Sequence, residues 1–116
     1  MEFSNKERSR IELSYIQTLQ NHKKECDSII IDATIFSDVL LFLDKVFSIF
    51  IHFPNIGDNY DGGLNVEWHH SKSFCCTFYK NHVTVDMFDE QSHSIHDEND
   101  QENLFLNFKK FMKNIE

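Results

Sequence analysis

The chain has 116 residues, 41% of them hydrophobic and twelve of them Phe, with a formal net charge of -8. That length and apolar content suit one domain, residues 1–116, with its own core; one Pro and three Gly speak against linkers or low-complexity segments. No apolar run nears the ~20 residues of a membrane span, the charged start Met1–Arg10 lacks the apolar stretch of a secretory signal, and a cytoplasmic location is the expectation.

The acidic charge is unevenly placed. Met1 to Lys45 carries six basic and eight acidic residues, whereas Val46 to Phe108 carries two basic residues, Lys72 and Lys80, against ten acidic ones. Direct binding to a phosphate backbone needs the opposite sign, so a basic protein is the expected partner and nucleic acid is not.

Ser4-Asn5-Lys6-Glu7 has capping-box spacing and opens a helix over about Asn5 to Lys24, with Ile11, Tyr15, Ile16 and Leu19 as its apolar stripe. After Cys26-Asp27-Ser28, the β-branched Ile29-Ile30-Ile31 reads as an extended link or an edge strand. Asp32 or Thr34 caps a second helix over about Ala33 to Ile51, which is apolar on most of its circumference and ends at Phe53-Pro54. Asn55 to Gly63 reads as a polar loop; Asp58 and Asp61 lack the ligand order of an EF-hand. Three strands follow, Leu64–His69, Phe74–Tyr79 and His82–Phe88, each alternating with period two. The stretch Asp89 to Asp100 is either a mobile loop or hides a short fourth strand around Ser92 to His96. Asp100 caps a last helix over about Gln101 to Ile115 with Leu104, Phe105, Phe108, Phe111, Met112 and Ile115 on its apolar side. The expected fold is α+β, order α-α-β-β-β-α, with helices packed on one face of a three- or four-stranded antiparallel sheet.

Seven His and three Cys raise metal and thiol chemistry. His93-x-x-His96 offers a pair of imidazoles, and Cys75 or Cys76 would supply thiolates, but neither pair has the gap of a zinc ribbon or finger. Cys75 or Cys76 with His69 or His82 would meet across neighbouring strands, yet no glycine-rich elbow or helix start follows to stabilise an oxyanion. The expectation is no catalytic residue, no metal and no cofactor. Glu67 is read as a cross-strand partner of Lys72 or Lys80.

Phe53-Pro54-Asn55-Ile56, Asp61-Gly62-Gly63 and the strand Leu64-Asn65-Val66-Glu67-Trp68 together resemble a set of small bacterial α+β proteins that share this Pro, Asp-Gly-Gly and Glu-Trp succession. The resemblance spans about Ile31 to Phe88, implies a bacterial or phage origin and assigns no catalytic residue. In size, acidity and compactness the chain also resembles the immunity proteins and antitoxins of bacterial toxin systems. That class implies a cytosolic, non-enzymatic protein that covers a basic toxin domain. The expected function is accordingly an acidic binding protein that neutralises a toxin, most simply a nuclease domain. Asp58, Asp61, Glu67, Asp86, Asp89, Glu90, Asp97 and Glu98 would supply the field, with Tyr60, Tyr79 and Phe88 as aromatic anchors. Two alternatives stand beside it: a phage-type inhibitor that mimics nucleic acid, and a metal- or thiol-dependent enzyme using His93, His96 or Cys76. The oligomeric state is left open.

Overall fold

The computed structural model describes residues 4–22, 31–69, 72–80, 82–88, 93–98 and 101–112. Among them the chain forms the helices α1 (Asn5–His22), α2 (Ala33–Val46) and α3 (Gln101–Met112), and the strands β1 (Asn55–Asp58), β2 (Leu64–His69), β3 (Ser73–Phe78), β4 (Val83–Phe88) and β5 (His93–Glu98). The class is α+β, as expected. The sheet is an antiparallel meander in the order β1-β2-β3-β4-β5, one strand larger than the upper expectation.

The additional strand is β1, in the segment that reads as a polar loop. Asn55-Ile56-Gly57-Asp58 has weak strand propensity of its own. It is paired by its neighbour, with Asn55 opposite Glu67 and Asp58 opposite Leu64. The acidic stretch resolves in favour of a strand, β5, running from Glu98 opposite Val83 to His93 opposite Phe88.

α1 starts at the Ser4 cap: the Ser4 hydroxyl accepts from the Glu7 amide at 3.2 Å and donates to Glu7 Oε1 at 3.1 Å. Its buried side, however, is Ser9, Leu13 and Ile16, while Ile11 and Tyr15 are 49% and 63% exposed and Leu19 is exposed too. The expected stripe is therefore corrected. α1 lies at the β1 edge against α2, so it has room to bury only a narrow side, and small Ser9 permits the approach. Arg8 over the Phe53 ring at 4.0 Å and Arg10 on Asp44 at 3.2 Å help to fix that orientation.

α2 is capped by Asp32, which accepts from the Thr34 amide at 2.9 Å. The helix ends at Val46, short of the expected Ile51. Ser48 and Ile49 close i→i+3 hydrogen bonds onto Lys45 and Val46, and the chain then continues without regular structure to Pro54. Ile35, Phe36, Val39, Phe42, Leu43 and Val46 are buried.

The core is one aromatic cluster between the helices and one sheet face. Leu64, Val66 and Trp68 from β2, Phe74, Cys76 and Phe78 from β3, and Val85 from β4 meet Leu104, Phe108 and Phe111 of α3. Phe108 sits 4.7 Å from Trp68, 5.3 Å from Phe74 and 6.0 Å from Phe42, ring centroid to centroid. The Trp68 indole donates to the His52 carbonyl at 2.9 Å, so its one polar atom is satisfied inside the core.

Candidate functional site

With the helices on one side, the opposite face of the sheet is left to residues that are mostly polar. Strand pairing sets them in cross-strand rows: Gly57, Asn65, Thr77, Thr84 and Asp97 in one; Asn55, Glu67, Cys75, Asp86 and Ile95 in the next. A third row holds His69, Ser73, Phe88 and His93. Period two in each strand dictates this sorting, because the same alternation that buries Val66 and Trp68 turns Asn65 and Glu67 outward.

At the β1–β2 end the face is organised by the Asp-Gly-Gly turn. Asp58 Oδ1 accepts from the Tyr60 amide at 2.8 Å, and Tyr60 takes a φ of 65° with its ring 70% exposed. Gly62 takes a φ of 90°, where a side chain would be strained. Gly63 is glycine for a different reason: a Cβ there would lie 2.7 Å from Thr77 Cγ2 and 2.8 Å from the Tyr79 ring. Across that contact the Tyr79 hydroxyl donates to Asp61 Oδ2 at 2.7 Å, and Asp61 also accepts from Asn59 at 2.9 Å and from the Gly63 amide at 3.0 Å. Asn65 donates to Asn59 at 2.8 Å and accepts from Thr77 at 2.6 Å. Burial acts against the Asp61 charge, but the hydrogen bonds from Tyr79, Asn59 and Gly63 outweigh it and hold its carboxyl below the ordinary value. The same bond to Asp61, together with burial, pushes the Tyr79 phenol up.

Further along, β2 and β3 build a second group. Glu67 Oε2 and His69 Nε2 are 3.0 Å apart, and His69 Nδ1 lies 2.9 Å from the Ser73 hydroxyl. Cys75 is the cross-strand partner of Glu67, and one donor atom from each of Glu67, His69 and Cys75 falls within 4.8 Å of the others. Burial, then the charges of Glu67 and Asp86, push the Cys75 thiol up to about 11, the reverse of an activated nucleophile. Cys76, on the other face, is fully buried in the core, and burial pushes its thiol up as well.

Of the residues singled out from the sequence, Asp61 and Tyr79 are bonded to each other, Asp58 and Tyr60 belong to the same turn, and Glu67 and Asp86 flank Cys75. Asp97 takes a register position in the open-face row of Thr84, whereas Glu98 takes one in the helix-side row of Val83 and Phe78. Phe88 ends β4 opposite His93. Asp89 and Glu90 lie outside the described residues. Of the two lysines expected as partners of Glu67, Lys72 and Lys80, Lys80 is 3.6 Å from Asp32 instead, and Glu67 meets His69. Of the two expected histidine partners for a β3 cysteine, His69 is beside Cys75, while His82 stacks on Tyr79 at 4.8 Å. His93 and His96 are on β5, two strand spacings or about 10 Å from β3.

The role of His69 was accessible to sequence reasoning through one signal: Glu67 and His69 share a face at i,i+2, and a short hairpin brings β3 opposite them. Asn59 and Asn65 carried no such signal, because their bond depends on β1 being a strand. Comparison with known proteins gives no match to a family model, to a curated protein or to a solved structure.

Proposed function

We propose that the chain is an acidic, non-enzymatic binding protein that neutralises a basic protein partner, in the manner of an immunity protein or antitoxin covering a toxin domain. The observation that carries this reading is the one-sided packing of the helices. It leaves a polar sheet face on which Glu67 and Asp86 share a row and Asp97 holds a position in the next, with the exposed Tyr60 at the turn beside it. An acidic surface of this kind favours a partner of opposite charge and speeds its encounter. The net charge of -8 acts in the same direction.

The test is affinity capture from the native cell at low and at high salt, followed by a binding titration with the captured protein. A single stoichiometric basic partner is expected, lost at high salt and bound at least tenfold more weakly by the Asp86→Asn/Asp97→Asn double variant. A partner retained equally at both salts, and equally by the double variant, would sink the reading.

A further inference from the structure

The group on β2 and β3 matters beyond its contribution to surface charge. We propose that Glu67, His69 and Cys75 form a zinc site with three protein ligands and one position left for water or an incoming group. Three donor types converge there, a carboxylate oxygen, an imidazole nitrogen and a thiol sulfur, with the donor atoms all within 4.8 Å of one another. Thiolate with imidazole selects zinc over magnesium or calcium, which take oxygen. Tetrahedral zinc, with bonds of about 2.0 to 2.3 Å, needs its donors about 3.5 Å apart, so closing the site takes rotamer changes of an ångström or so.

The scaffold favours that closure. Glu67 and Cys75 are direct cross-strand partners, and Ser73, the partner of His69, holds imidazole Nδ1 at 2.9 Å. Nε2 is thereby left on the side of Glu67, 3.0 Å from its carboxylate. A metal-bound histidine usually donates its other ring N–H to an outer acceptor, and the Ser73 hydroxyl oxygen is placed to be that acceptor. Asp86, opposite Cys75 on the far side, adds a second carboxylate whose charge a cation offsets. On binding, the thiol proton leaves to solvent as the zinc–sulfur bond forms. The competing description is a surface His–Glu pair with a bystander cysteine, which predicts no zinc uptake. A cation here would lie on the face proposed for the partner, but its uptake is measured on the chain alone, so either reading can fail without the other.

The experiment is titration of the metal-free full chain with zinc, and with cobalt(II) as a spectroscopic probe. One equivalent is expected, with a thiolate-to-cobalt charge-transfer band and a zinc-dependent rise in the unfolding temperature. Cys75→Ser should abolish the band, and His69→Gln should abolish the rise. Ser73→Ala, which removes only the orienting hydroxyl, should weaken zinc about 10- to 100-fold, and His82→Gln should leave binding unchanged. Absence of zinc uptake by the wild-type chain, or a cobalt band that survives Cys75→Ser, would overturn the proposal. Trp68 fluorescence reports whether each variant is folded.

Discussion

Single side chains decide how the Asp-Gly-Gly turn is built, and two glycines a few residues apart illustrate it. A Cβ at Gly63 meets Thr77 and the Tyr79 ring below 3 Å, whereas a Cβ at Gly57 meets nothing within 4 Å. Gly63→Ala should therefore displace the Tyr79 ring, weaken its bond to Asp61 and cost about 1–3 kcal/mol. Gly57→Ala should be neutral or stabilise by up to about 1 kcal/mol through the unfolded chain; urea denaturation of the two variants measures the contrast. Cys75 offers a second case at this scale. With its thiol at about 11, next to none is ionised at pH 7, so alkylation of the metal-free protein should be far slower than that of a free thiol. The rate should climb as pH rises toward that value and should increase in Glu67→Gln, read by mass spectrometry of the β3 peptide.

Elements show where local pattern and tertiary contact part company. In α1 the residues Ile11, Tyr15 and Leu19 repeat every four positions, yet Leu13 and Ile16 are the ones in the core. Leu13→Ala should cost about 2–5 kcal/mol and Ile11→Ala within about 0.5 kcal/mol, compared by chemical denaturation. The turn joining β1, β2 and β3 carries a pH dependence whose sign follows from its two titrating members. Asp61 is lowered in the fold, so its contribution is present above the unfolded value of about 3.9 and is lost as pH falls through the lower folded one. Tyr79 is raised, so its contribution is present below about 10 and is lost as pH climbs through the higher folded value. The lock is thus complete between about pH 4 and 10. Asp61→Asn should flatten the acid side of the stability profile, and Tyr79→Phe the alkaline side.

Taken whole, the molecule is closed by its last helix. Phe108 of α3 touches Trp68, Phe74, Phe42 and Phe50, which come from α2, from the segment after it and from two strands. Phe108→Ala should cost about 3–5 kcal/mol and shift Trp68 fluorescence, in a single transition that includes the sheet. Because all the helices fall on one side, the charge left on the other side is presented as a surface rather than dispersed. The partner and zinc proposals both rest on that asymmetry.

Legible in the chain alone were the α+β class, the three central strands to within a residue, the cap at Ser4, a second cap at Asp32 or Thr34 and the turn at Asp-Gly-Gly. These depend on periodicity and on local hydrogen bonds, which a single strand or helix end carries in its own residues. The sequence also marked Glu67 and Asp86 for the sheet face away from the core, since alternation alone puts them there. That Asn55–Asp58 is a strand emerged in the folded chain alone, because its pairing comes from β2 and not from its own propensity. Likewise the fold alone chose the face that α1 buries, made Phe42 and Phe108 neighbours, and brought Cys75 to Glu67 and His69. Each of these is a contact between segments, and its energy is absent until the partner segment is in place.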